Sequence, residues 1–319
     1  MTDPTKIDRI LAHATRAPSS HNTQPWLFRV GPDRIDLLAD RTRALPVNDP
    51  EDRELTISCA CALMSLRVAA AAEGLGSGVT LLPDSDDNDL LARVDLRGAP
   101  DAELAVLASV IDLRQTHRVR FEDRPVDSDH ITALSRAAQA ENARFAPLHS
   151  AEKRHAAADL VATGDAALWD DARWRRELAQ WMHPRRKGDG LTLPWLAIPL
   201  AQAVVRSFDM GGGVAAHDAE LAEASPLLAV LATDGDSTRD WLQAGQALQR
   251  VLLTGVRAGL QASYLNQPVQ VSHLRPRLNA LIGDAGLPQV LLRMGYTQDR
   301  LTPSPRRPVS DCVVSDEMA

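Results

Sequence analysis

Cysteine is scarce in this 319-residue chain: there are three, and two of them, Cys59 and Cys61, lie two apart. In a helical stretch that spacing points the thiols to different faces, so neither a disulfide framework nor a zinc site follows and small buried hydrophobes are expected. A net positive charge is also missing. A formal net charge of −7 argues against a nucleic-acid partner, because affinity for a phosphate backbone rests on clustered Lys and Arg. No uninterrupted apolar run reaches the length of a bilayer crossing, and the opening MTDPTKIDRI holds no signal-like apolar core. No membrane partner is therefore expected, and the chain reads as cytoplasmic. The nine histidines are scattered without HExxH or paired-carboxylate spacing, so no metal and no Ser-His-Asp machinery is expected. Gly211-Gly212-Gly213 does not follow a strand and is not a dinucleotide fingerprint; it reads as a hinge. At 45% hydrophobic and 24% charged, the composition is that of a globular protein with a substantial core.

Against that background four stretches stand out. Residues 17–26, APSSHNTQPW, combine three hydroxyls, two amides, an imidazole and two prolines. Pro18 and Pro25 remove backbone donors and restrict their neighbours, so the segment is a shaped loop, either a capping loop or a set of short polar groups facing a flat heterocycle. Residues 114–121, RQTHRVRF, alternate arginines around a hydroxyl, which fits a phosphate dianion in an extended segment or a solvated basic turn. Between about 165 and 220 the chain gathers Trp169, Trp174, Trp181 and Trp195 among Arg173, Arg175, Arg176, His183, Arg185, Arg186 and Lys187. This is an aromatic lid over a flat ligand or a packed excursion. Finally, SPRRPV at 304–309 lies in an irregular tail that either folds back over the core or stays solvated.

The remaining pattern alternates helix and strand. Helices are expected from Thr2-Asp3-Pro4 onward, over 52–73, 100–112, 128–139, 151–168 and 237–258, and strands near 26–30, 35–38, 79–82, 90–96, 143–148, 226–232, 263–265 and 290–294. Two long helices repeat: Ala62-Leu63 precede Gly74 by the same spacing with which Ala247-Leu248 precede Gly259, and each helix runs through Gly-Leu into a strand. Val94-Asp95-Leu96 then matches Val290-Leu291-Leu292. The halves 1–112 and 113–319 thus correspond, yet the first holds the APSSHNTQPW loop and the second the arginine stretch. Each half carries what the other lacks, which predicts one composite site per chain.

APSSHNTQPW is similar to the Ala-Pro-Ser-x-x-Asn-x-Gln-Pro-Trp signature of the flavin-dependent nitroreductase superfamily, and RQTHRVRF resembles its Arg-Arg-Ser-x-Arg motif, with Gln115 for the second Arg, Thr116 for Ser and one extra residue before Phe121. The double-length chain resembles the Acg-type branch, in which a single chain imitates the nitroreductase dimer. The resemblance implies an α+β, nitroreductase-like tandem pseudo-dimer with mixed sheets and long central helices. It implies FMN as cofactor, NAD(P)H as electron donor, and nitroaromatic or quinone-like substrates; a flavin-sequestering protein with a covered site is the alternative. It assigns cofactor contacts to Ser19, Ser20, His21, Asn22, Thr23 and Gln24 from one half. From the other come Arg114, Thr116 and Arg118, the Asn266-Gln267 loop, and Ser304, Arg306 and Arg307 of the tail. Arg118 would support negative charge at the flavin N1 and O2 as fixed electrostatics, with no protein residue acting as nucleophile. An internal dimer makes a monomer or weak homodimer the expected state.

Overall fold

The computed structural model describes residues 2–183, 188–192, 197–207 and 210–314. The Asp3 carboxylate accepts from the Thr5 amide and Pro4 fills the first turn, which starts α1 (Pro4–Ala14) and buries Ile7, Ile10, Leu11 and Ala14. The signature loop follows and leads into an antiparallel hairpin, β1 (Trp26–Gly31) and β2 (Arg34–Ala39), with Trp26 opposite Ala39. Then come α2 (Arg53–Ala72), β3 (Gly78–Leu81) and β4 (Leu90–Asp95).

The stretch 100–112, expected as one helix, is instead the single turn α3 (Ala102–Ala105) followed by a 3-10 turn at Ala108–Val110. Leu104, Leu107 and Ile111 are buried all the same, because both turn types return a side chain to one face every three to four residues.

The chain continues with α4 (Ser128–Gln139) and β5 (Arg144–Pro147). A helical excursion then departs from the sheet through α5 (Ala151–Asp170), α6 (Ala172–Gln180), β6 (Met182–His183), β7 (Leu191–Thr192), α7 (Ile198–Ser207) and α8 (Gly211–Glu223). It starts earlier than residue 165, and the glycine run at 211–213 opens a helix where a hinge was expected. Trp195, Arg185, Arg186 and Lys187 lie outside the described residues. The chain returns through β8 (Leu227–Thr233), α9 (Thr238–Arg257), β9 (Gln261–Tyr264), α10 (Gln267–Gln270), α11 (Arg275–Ile282), β10 (Leu287–Gly295) and β11 (Val313–Val314).

Beside the small two-stranded sheet of β6 and β7, the two larger sheets share one order. The first runs β11-β1-β2-β4-β3 and the second β5-β8-β10-β9. Setting β11 aside, each joins its strands in the positional order one, two, four, three, antiparallel throughout, with a 20-residue helix between the second and third strands. β11, at the end of the second half, lies parallel to β1 of the first, pairing Val313 with Phe28. The first sheet is therefore mixed, and a parallel bridge from Thr116 to Ala262 of β9 extends the edge of the second.

The helices α2 and α9 pack on one another at the centre. Their contact is close because Gly245 has no side chain: a Cβ there would lie 2.5 Å from the Cβ of Ala60 and would collide with the carbonyl oxygen of Ile57. The Cys61 thiol donates to the Gly245 carbonyl at 3.2 Å, and the Gln249 side-chain amide donates to Ser65 Oγ at 2.9 Å. Among the described residues α2 alone is long and apolar enough to cross a bilayer, and here it is buried inside the molecule. Cys59, Cys61 and Cys312 are all buried free thiols.

Candidate functional site

A cavity of about 620 Å³ is walled by residues from both the first 112 positions and the rest of the chain, and its volume is within the range of roughly 300–1,000 Å³ typical of small-molecule sites. The first half supplies the signature loop and the opening turns of α2, including Glu54, Ser58 and Cys61. The second supplies the 114–118 segment, the end of β9 with α10, faces of α5, α6 and α8, and the tail around Ser304 to Arg306.

The loop is held in an unusual backbone. His21, Asn22 and Gln24 all have φ near +50° to +56°, a region few non-glycine residues adopt. Side chains and partners fix it there. Ser19 Oγ accepts from the Gln24 amide at 3.0 Å, and Ser20 Oγ donates to Glu54 at 2.6 Å. The Asn22 side-chain amide donates to the carbonyls of Gly190 and Pro305, and the Asn22 carbonyl accepts from Gly190 at 3.1 Å. Glu54 also accepts from Gln270 of α10 at 3.0 Å, so one buried carboxylate ties the first-half loop to the second half.

Three guanidinium groups converge at one end. Arg114 is 6% exposed; one of its terminal nitrogens donates to the Arg16 carbonyl at 3.3 Å, while Nε and Nη1 have no partner. Arg306 donates to the carbonyls of Arg16 and Ala17 and to Asn22 Oδ1, and its Nε is likewise unpartnered. Burial, followed by repulsion from Arg114 and Arg16, pushes its pKa down to about 9. Arg16 pairs with Asp112 at 3.0 Å. Enclosed donors without acceptors are costly, and an anion placed among them removes both the unmet hydrogen bonds and the repulsion.

No family model matches the chain. It is 31% identical over 320 residues, 98% of its length and 92% of the relative's, to a Mycobacterium tuberculosis H37Rv protein named "Putative NAD(P)H nitroreductase Rv3131". The same organism's "Putative NAD(P)H nitroreductase acg" is 29% identical over 307 residues, 93% of this chain and 92% of the relative. The chain belongs to the nitroreductase family. A solved FMN and NADPH-dependent nitroreductase, NfnB from Sphingopyxis sp. strain HMH, is similar over 64% of this chain and 96% of its own, with 20% identity and a TM-score of 0.44.

Within this nitroreductase-family chain, the cavity wall brings together Ser19, Ser20, His21, Asn22, Arg114, Thr116, Arg118, Asn266, Gln267, Ser304 and Arg306. Three residues expected beside them lie elsewhere. Thr23, Gln24 and Arg307 are buried behind the loop: Gln24 accepts from the Arg307 amide at 2.9 Å and donates to the Gly188 carbonyl at 2.7 Å, while the Arg307 guanidinium donates to the Gln24 carbonyl. They clamp the tail to the loop. Asn266 also carries structure, its Oδ1 accepting from the Leu291 amide, and the segment after it is the helical turn α10 where a loop was expected.

Several lining residues carried no sequence signal. Arg16 is adjacent to the signature and would have been found by extending it one residue. Glu54, Asp165, Asp218 and Tyr264 sit in ordinary helix or strand patterns. Trp169 and Trp174 of the excursion both line the cavity and pack edge to face at 5.5 Å, with the Trp174 indole N–H donating to Asn48. Glu177 accepts from the amides of Val47 and Asn48, so α6 is fastened to the first half.

Enclosure and then the nearby Arg118 charge push the His21 pKa down to about 4. Between pH 6.5 and 4 the unfolded chain takes up a proton that folded His21 refuses, so this group's contribution is complete above pH 6.5 and is lost as the pH falls. H21Q is expected to flatten that part of the stability profile of the flavin-free protein, read by urea unfolding at pH 7 and pH 5. An unchanged difference between the two pH values would show that His21 is not enclosed in this way.

Proposed function

We propose that this chain is an FMN-dependent oxidoreductase that uses NAD(P)H to reduce nitroaromatic or quinone-type acceptors at one composite site between two diverged nitroreductase-like halves. The observation that carries the reading is the guanidinium cluster at one end of a cavity walled by both halves, with Arg114 buried and two of its donors unmet. The repeated strand order supports the tandem reading, and family membership supports the chemistry.

The donor set fits a flavin mononucleotide. Arg114, Arg16 and Arg306 would hold its phosphate, Thr116, Ser19 and Asn22 its polyol and ring edges, and Arg118 the pyrimidine side. When bound, FMN supplies hydride acceptance from NAD(P)H and its return to a second substrate. The protein anchors the dianion, excludes water through Trp169 and Trp174, and places the Arg118 charge where negative charge develops.

An anaerobic absorption spectrum before and after NADPH, and then NADH, tests the reading. A near-stoichiometric flavin that bleaches is expected. A colourless protein that takes up no FMN would overturn it. The fastening of α6 and Trp174 over the cavity favours a second reading, a flavin-sequestering protein; its mark is a yellow protein that ignores both nicotinamides and bleaches only with a small chemical reductant.

A further inference from the structure

The cavity wall also carries two carboxyls from different helices of the excursion. Asp165 of α5 and Asp218 of α8 are bridged by a single amide: Gln267 Nε2 donates to Asp165 Oδ1 at 3.1 Å and to Asp218 Oδ2 at 2.9 Å. The arrangement is built. Gly164, just before Asp165, lets α10 sit directly on α5, since a Cβ at that position would lie 2.7 Å from Gln267 Cβ and 2.9 Å from its carbonyl carbon. Asp165 is 4% exposed, and its Oδ2 has no partner although the residue lines the cavity. Asp218 is half-buried at the same wall.

Resting on the reading of this cavity as a flavin site, we propose that the Asp165–Asp218 pair is the general acid of acceptor reduction, with Asp218 delivering the proton and Asp165 as the positioning partner that keeps it there. Two carboxylates sharing one amide donor cannot both ionise without repulsion in an enclosed site, so the pair retains one proton. Burial first and then Asp218 push Asp165 up to about 7, and burial raises Asp218 as well. Gln267, His217 of the same helix, Arg293 of β10 and Arg118 act on Asp218 in the opposite sense. The proton is thus held near neutrality, where a general acid is most useful.

The chemistry balances. Two-electron reduction of a quinone takes one hydride and one proton: the electrons come from NAD(P)H, which is oxidised to NAD(P)+, by way of the cofactor. The Asp218 O–H bond breaks, an O–H bond forms on the substrate oxygen, and the carboxylate is reprotonated from solvent. A one-electron acceptor such as ferricyanide needs no proton and bypasses the pair.

The test uses the full-length protein with its flavin and two variants, D218N and D165N. In the wild type, reoxidation of the reduced protein by a benzoquinone is expected to slow as the pH rises through about 7. D218N should reoxidise with quinone about 100-fold more slowly. D165N should move the inflection down toward the ordinary carboxylate range, and reoxidation by ferricyanide should be unchanged in both. Carbon-13 carboxyl NMR of the flavin-free protein gives a readout without turnover: a carboxyl titrating near pH 7 in the wild type, displaced in either variant. Flavin-loaded variants that slow quinone and ferricyanide alike, or that leave the quinone profile and the carboxyl titration unmoved, would overturn the inference while leaving the flavin reading intact. A wild-type protein that binds no FMN would overturn both.

Discussion

R114M is expected to weaken FMN binding by about 2–5 kcal/mol, the cost of removing one partner from an enclosed charge pair, which is about 30-fold or more in Kd. In the flavin-free protein the sign reverses. Arg114 there is a buried cation with two unmet donors that repels Arg306, so its removal should leave the melting temperature unchanged or raise it. Fluorescence-quenching titrations with FMN and with riboflavin separate the causes, since riboflavin lacks the phosphate and should bind wild type and variant alike. A variant that loses affinity equally for both flavins would show that Arg114 holds the loop or the ring and not the phosphate. A variant that melts lower without flavin would show that Arg114 is a structural brace.

G245V is expected to be the most damaging single change to the fold. The side chain would enter the Ile57 turn of α2, where even a Cβ would sit 2.5 Å from Ala60 Cβ and 3.0 Å from the Ile57 carbonyl carbon. Overpacking of this kind costs about 1–3 kcal/mol or more, and each kcal/mol lowers the melting temperature by roughly 2–4 °C in a large domain. Because Ile57, Ser58 and Cys61 of α2 and Leu248 of α9 line the cavity, flavin retention should fall with stability. G212A provides the contrast: a Cβ at Gly212 on α8 has no neighbour within 4 Å, and exchanging a helical glycine for alanine should be neutral or stabilising by up to about 1 kcal/mol. Thermal melts of both variants check the pair. Equal effects would mean that the α2–α9 contact is not as close as described.

Most elements were legible because their signals are local. Asp3 and Pro4 start α1, Ser237 caps α9 with a reciprocal bond to Asp240, and the all-apolar run at 227–232 becomes a strand buried on both faces. The shaped loop was legible because two prolines exclude the alternatives. Its left-handed residues were not, since His21, Asn22 and Gln24 carry no glycine-like permission and hold their backbone through contacts with residues far along the chain. For the same reason the string APSSHNTQPW gave no sign that Thr23 and Gln24 turn away from the cavity: in irregular backbone no period sets side-chain direction. Asp165 and Asp218 are single acids on two helices, and only the packing of α5 on α8 makes them neighbours. The shared strand order also lies beyond periodicity, which specifies strands but not their partners.

The pairing of β11 with β1 has a consequence for how the molecule is made. During synthesis the first half emerges early and can collapse around α1, β1 and β2, yet one edge of its sheet stays open until residues 313 and 314 arrive. Arg306 and Arg307 travel in the same late segment, so the tail that clamps the signature loop is among the last parts of the described chain to leave the ribosome. Until residues 306–314 have emerged, the nascent chain carries an unsealed sheet edge and an unlocked loop.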